Sequence, residues 1–97
     1  MTTRIITTIT AEDIDEHREV LCAWARANGI EPEDVAAGPG MSVERTGRRT
    51  VIVYHQIHRG GDGLVLRDDS GARLEIKTAV PLVETLAQHR YPGSDPT

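Results

Sequence analysis

The chain has 97 residues, the size of one domain, and its formal net charge is −4. An acidic balance argues against a protein that coats nucleic acid, because phosphates attract basic proteins. Only 3% of the residues are aromatic and none is Phe, so the core must be assembled from Ile, Val, Leu and a single Trp. Cys22 is the one cysteine, which excludes an intrachain disulfide and a cysteine metal site.

Residues 1–9 read MTTRIITTI. The β-branched run from Arg4 to Ile9 predicts either a short edge strand or an extended arm. The stretch lacks the long apolar core of a signal peptide, and no later stretch has the length and apolarity of a membrane span. We therefore expect a cytoplasmic protein with no membrane partner.

Residues 10–29 predict one long amphipathic helix. Thr10 is a good N-cap, and Asp13, three residues later, completes a variant of the capping box. Gly29 suits the left-handed position that follows a helix. The main apolar positions share one face, and they are Ile14, Leu21, Trp24 and Ala25. Trp24 is the largest apolar group in the chain, so we expect it to anchor the core.

Beyond Pro32 and a glycine-containing loop, the apolar period changes to two. The predicted strands span residues 41–46, 49–58, 64–67 and 72–80, with a tight turn at Gly47-Arg48. Residues 81–90 predict either a short helix opened by Pro81 or an extended segment, and residues 92–97 a loose tail. The expected fold class is α+β, with one long N-terminal helix packed on a three- or four-stranded antiparallel meander.

The strand at 49–58 is apolar on both sides around residues 51–54, and one helix covers only one side of a sheet. The second side then needs another cover, either the C-terminal segment or a second subunit. We assign this side as an interaction face, formed by Ile52, Tyr54, Gln56 and His58.

The chain shows no motif for catalysis or for a metal. His55 and His58 are three residues apart on a strand, so their imidazoles point to opposite faces. Residues 59–63 are glycine-rich, but no helix follows them to bind a phosphate, and they predict a turn. The acids of the helix form a solvated face, and no serine lies in a nucleophile motif. We expect no enzyme activity and no cofactor.

A second interpretation is a basic sheet surface with one stacking group, Tyr54, beside His58. Proteins that bind single-stranded nucleic acid on a β-sheet carry two or three aromatic groups there and are basic. This chain has one such group and a negative net charge. The residues of this surface are Arg45, Arg48, Arg49 and Arg59.

The run from Cys22 to Val35, CAWARANGIEPEDV, resembles small uncharacterised proteins of Streptomyces-type actinobacteria and their phages. These proteins carry a W-x-R-A-x-G-I-x-P-x-x-V segment after an acidic helix start. The resemblance implies a cytoplasmic, phage or phage-like accessory protein. It carries over no activity and no functional residue.

These patterns favour a non-enzymatic, small accessory or regulatory protein that acts by protein–protein interaction or self-association. The alternative is a weak nucleic-acid binder that uses the arginine-bearing hairpin. A small-ligand enzyme comes third, and a ligand-sized pocket between helix and sheet would favour it.

Overall fold

The computed structural model describes residues 2–92. A four-stranded antiparallel sheet, with its strands in chain order, has a layer of short helices on one face. The elements are β1 (Thr3–Ile9), α1 (Ala11–Glu16), α2 (Arg18–Ala27), a 3₁₀ helix (Pro32–Asp34), β2 (Met41–Thr46), β3 (Arg49–Ile57), β4 (Glu75–Pro81) and a second 3₁₀ helix (Ala87–His89).

The prediction of one long N-terminal helix is wrong, because α1 and α2 are separate helices. His17 lies between them with φ −117° and ψ 35°, outside the helical region. α1 buries no residue, and residues 15–19 include no apolar side chain that would hold both halves on one axis. The His17 ring instead packs edge-to-face against Tyr91, with 5.3 Å between the ring centroids.

The predicted helix start and end are confirmed. The Asp13 amide donates to Thr10 Oγ1 at 3.2 Å, and the Thr10 amide donates to the Asp13 carboxylate at 3.0 Å, which completes the capping box. The hydrogen bonds with Thr10 lower the pKa of the Asp13 carboxyl from its ordinary value. Gly29 follows α2 with φ 78°, the left-handed conformation that glycine adopts readily.

Residues 3–9 form the edge strand β1 rather than an arm. β1 pairs with β2 from Thr3 opposite Thr46 to Ile9 opposite Met41, and the register shifts between Ile5 and Thr7. Ile9 is fully buried, so the end of β1 is fixed on the sheet just before α1 begins.

The turn predicted at Gly47-Arg48 is confirmed, and it joins β2 directly to β3. The strand predicted for residues 64–67 is reduced to isolated bridges at Val65 and Arg67. Pro81 ends β4 instead of opening a helix, and the chain then turns through the second 3₁₀ helix. Residues 93–97 of the predicted tail lie outside the described residues.

The core lies between α2 and one face of the sheet. Its largest fully buried side chains are Trp24, Ile9, Ile30 and Ile52. The prediction that Trp24 anchors the core is confirmed. Its indole Nε1 donates to the Glu84 carbonyl oxygen at 2.8 Å, so the one polar group of the ring is satisfied.

Asn28 joins the end of α2 to the segment that follows β4. Its Nδ2 donates to the carbonyl oxygens of Trp24 at 2.8 Å and of Glu84 at 3.1 Å. Its Oδ1 accepts from the amides of Val83 at 2.7 Å and of Glu84 at 2.9 Å. Among residues 2–92 it is the one buried polar side chain. The segment that it holds contributes Leu82 and Leu86 to the core.

We predict that Trp24→Ala lowers the free energy of unfolding by about 3–5 kcal/mol, because it leaves a large cavity in a core with few aromatic groups. Trp24→Phe should cost less, because it keeps most of the apolar surface and the Glu84 carbonyl still accepts from Asn28. Urea denaturation followed by circular dichroism measures both. An alanine variant that melts within a few degrees of the wild type would contradict the placement of Trp24 in the core.

We predict that Asn28→Ala destabilises the protein by about 1–3 kcal/mol for each buried amide or carbonyl group that it leaves without a partner. Gln88→Ala is the matched control, because it removes the same kind of side-chain amide from an exposed site where Gln88 Oε1 accepts from the Thr85 amide. Denaturant unfolding, with hydrogen exchange at Val83 and Glu84, measures the effect. Equal losses for the two variants would contradict the role given to Asn28.

Candidate interaction surfaces

The apolar half of the predicted interaction face is not free. Ile52 is 0% exposed and Tyr54 is 6% exposed, and both belong to the core cluster that contains the buried residues of α2. Burial raises the pKa of Tyr54, and the charge of Asp34 raises it further. Gln56 and His58 are exposed, and Gln56 lies opposite Ile76 of β4, which is 51% exposed. The assignment of Ile52 and Tyr54 to an interaction face is thus corrected.

The opposite face of the sheet, the open face, carries its own apolar residues. Alternation along each strand places the neighbours of Ile52 and Tyr54 on this side. The register gives two rows across it, Thr8–Ser42–Val53–Ala79 and Ile5–Glu44–Val51–Pro81. Val51 and Val53 are half-buried by their neighbours in the sheet, and Ile5 is 61% exposed.

Charge is distributed differently on the two sides of the molecule. Residues 11–28, the helical layer, carry two arginines and five carboxylates, which are Glu12, Asp13, Asp15, Glu16 and Glu19. The open face carries charges of both signs in equal number, at Glu44, Arg49, Glu75 and Lys77. The helical side is therefore acidic, whereas the open face is neutral.

The four arginines of the predicted basic surface do not lie together. Arg45, Arg48 and Arg49 are at the β2–β3 turn, whereas Arg59 lies beyond the other end of β3. Arg4, which sequence analysis did not include, lies directly opposite Arg45 in the β1–β2 pair. All four residues at the turn end are exposed, and we call the set Arg4, Arg45, Arg48 and Arg49 the arginine end. Tyr54 is buried, so it cannot serve as the expected stacking group.

Residues 58–74 form two similar turns beyond β3. The Leu66 amide donates to the His58 carbonyl oxygen, the Leu74 amide donates to that of Leu66, and the His58 amide donates to that of Leu74, each at 2.9 Å. These three backbone hydrogen bonds form a closed ring. The two turns contain the same contact, eight residues apart. The Arg59 guanidinium donates to the Gly63 carbonyl oxygen, and the Arg67 guanidinium donates to the Gly71 carbonyl oxygen.

Arg59 also ties this segment to the first 3₁₀ helix. Its Nε donates to the Asp34 carboxylate at 2.8 Å, and its Nη2 donates to the Glu33 carbonyl at 3.3 Å. With the bond to Gly63, its guanidinium has three protein partners. Arg59 is therefore a structural tie rather than a free cation for a ligand. The pairing of Arg59 with Asp34 joins residues far apart in the sequence, and no short motif marks it.

Among residues 2–92, two of the surface cavities bear on a ligand site. One of about 270 Å³ is beside the first 3₁₀ helix, where Asp34, Gln56 and Arg59 contribute to its wall, and another of about 90 Å³ lies against α2 near Cys22. The first is slightly smaller than typical small-ligand sites, and its arginine is already bonded.

Within residues 2–92, no three His, Cys, Asp or Glu side chains come together as metal ligands. In the same range no helix has the length and apolarity needed to span a membrane.

We predict that Arg59→Ala loosens residues 58–74 with little effect on global stability. A half-exposed ion pair contributes on the order of 1 kcal/mol or less, so the Leu66 and Leu74 amides should exchange with solvent up to about fivefold faster. Arg67→Ala is the matched control, because Arg67 makes the same contact within its turn but does not bond to Asp34 or Glu33. Equal exchange rates in the two variants would show that Arg59 is not the tie.

Comparisons with protein-family models, with curated proteins and with solved structures found no match to this chain. Function is therefore inferred from the surfaces of the protein. Of these, the open face and the arginine end combine exposure with a distinct chemistry.

Proposed function

We propose that this protein is a non-enzymatic accessory or regulatory protein that self-associates, with a second copy packed on the open face of the sheet. The observation that carries the proposal is the apolar strip formed by Val51, Val53, Ala79 and Pro81 on the side without helices, with the exposed Ile5 on the far side of Glu44. Contiguous uncovered apolar groups are uncommon on monomers, and two-fold pairing of identical patches is the commonest way to cover them.

Charge favours a second copy on this face rather than on the helices. Two helical layers would bring five carboxylates of each copy together against only two arginines, and they would repel each other. The open face is neutral and has both signs, so a two-fold arrangement can oppose Glu44 or Glu75 of one copy to Arg49 or Lys77 of the other. Electrostatics of this kind fixes the relative orientation of partners more than it adds affinity.

The geometry of sheets also suits this contact. Two sheets stack face to face at about 10 Å, with side chains interdigitating between them. The half-buried valines of β3 lie at the middle of the open face, where such side chains lose the most contact with water. The assembly would have two helical layers outside and two sheets inside. This replaces the sequence-based proposal, which placed the contact on Ile52 and Tyr54.

The remaining sequence-based expectations belong to the same proposal. The resemblance of residues 22–35 favours a phage-related accessory role, and the cytoplasm is the proposed location. An enzyme is less favoured, because the larger cavity lies beside Asp34 and Arg59 rather than between α2 and the sheet. Genes adjacent to this one in its genome would support or oppose the phage-related role.

We predict that light scattering gives the wild-type protein a mass of twice the 10.6 kDa chain and that Val53→Lys gives a folded monomer. Lysine at this position places a charge in the middle of the contact, but it disturbs no residue of the core. Val83→Lys is the matched control, because Val83 is 71% exposed and lies outside the open face. It should leave the mass unchanged.

Circular dichroism must show that both variants remain folded. A wild-type protein that stays monomeric at millimolar concentration would contradict the proposal. A dimer that persists in Val53→Lys, and is lost in Val83→Lys, would place the contact on the segment after β4.

A further inference from the structure

The arginine end concentrates positive charge at one end of an acidic protein. Arg4 and Arg45 occupy opposed positions on neighbouring edge strands, Arg48 is in the turn, and Arg49 begins β3 on the open face. Neighbouring strands lie about 4.8 Å apart, so these residues extend across roughly 10 Å of the sheet end. The Thr3 and Thr46 hydroxyls, 3.2 Å apart, lie at the same end.

None of these arginines has a carboxylate partner within residues 2–92. The ion pairs of that range lie elsewhere, for example between Arg18 and Asp15 and between Arg73 and Glu75. Glu44, which precedes Arg45 in β2, accepts a hydrogen bond from Ser42 through its carboxylate. Arg45 Nε donates to the Gly47 carbonyl oxygen at 3.3 Å, and the other donors of the four guanidinium groups are available to an external anion.

The opposed arginines are unfavourable in the isolated protein. Like charges directly opposite each other on paired strands are destabilising. Arg4 and Arg45 form such a pair, although the chain has fifteen acidic residues and eleven basic ones. An external anion would relieve the repulsion between them. Both the exposure of these arginines and the repulsion between Arg4 and Arg45 therefore favour an anionic ligand.

The acidic helices do not cancel this local charge. α1 begins beyond the far end of β1, seven residues after Arg4, and a strand rises about 3.3 Å per residue, so Arg4 and the start of α1 are roughly 20 Å apart. The Debye length is about 8 Å at physiological salt, so exposed charges at that separation are largely screened from each other. The net charge of −4 thus does not describe the field at the arginine end.

We propose that the arginine end binds the phosphate backbone of nucleic acid without reading its sequence. A guanidinium group offers a planar fork of donors that fits two phosphate oxygens. The arginines are spread over three strands and a turn, an arrangement that suits successive phosphates better than one small anion. Tyr54 is buried, so base stacking is unavailable, and contacts to phosphate carry no sequence information. This inference does not require the proposed self-association, and Arg49 is the one residue that the two contacts share.

Fluorescence anisotropy with a labelled 20-nucleotide oligothymidine and with a duplex of the same length tests the proposal on the full chain. Binding at 50 mM salt should weaken steeply at 200 mM, because phosphate contacts release counterions. The double variant Arg48→Ala/Arg49→Ala should bind at least tenfold more weakly at 50 mM salt. The slope of log affinity against log salt should fall by about one for each arginine removed.

The control Arg67→Ala/Arg73→Ala removes the same charge from the opposite end of the sheet. It should change affinity less than threefold. Arg4→Ala/Arg45→Ala should match the loss of the turn variant, and circular dichroism checks that every variant is folded.

Absence of oligonucleotide binding by the wild type at 50 mM salt would overturn the proposal. Equal losses in the control and the turn variant would do the same, because binding would then depend on charge anywhere on the surface. Competition with the labelled oligonucleotide separates the other anionic ligands. Polyglutamate that displaces it as well as unlabelled oligonucleotide does, at equal concentration of charge, would show a site for acidic peptides instead. Inorganic phosphate that does the same would show a site for a single anion.

Discussion

The structure depends on the joint between the end of α2 and the segment that follows β4. The ten residues of α2 cannot cover the inner face of four strands alone. Asn28 fills both donor and both acceptor positions of its side chain at this joint. A buried amide is costly unless it is fully bonded, so the segment is held in one register against the helix. Leu82 and Leu86 then complete the cover over Ile52.

The features that depend on neighbouring residues could be predicted from the sequence. The Thr10–Asp13 capping box and the turn at Gly47 are local, and the period-two pattern located β2 and β3. The side of β3 that is buried could not be predicted, because alternation treats Ile52 and Val53 alike. That choice is made by contacts between distant parts of the chain. The break at His17 was not predicted because the apolar spacing remains helical across it. The pairing of Arg4 with Arg45 was not predicted because the two residues are far apart in the sequence.

Three surfaces of the molecule differ in chemistry. The helical layer is acidic and holds the core, the open face is neutral and partly apolar, and the arginine end is basic. Arg49 belongs to both of the last two, because it begins β3 on the open face beside the turn. Copies that meet through their open faces would leave Arg4 and Arg45 on the other side of each sheet accessible. The two proposed contacts are therefore compatible in one assembly.

The place of β1 in the sheet also affects how the chain forms during synthesis. β1 is made before β2, its neighbour, and β2 ends only at Thr46. At about 5–20 residues per second, roughly forty residues take about 2–8 s to make, whereas helices form within microseconds. Helices as short as α1 and α2 are marginal alone, and Ile9, which is fully buried in the fold, stays uncovered on the nascent chain until β2 is made. The pairing of β1 thus joins residues about forty positions apart in the chain, and it cannot begin before β2 is made.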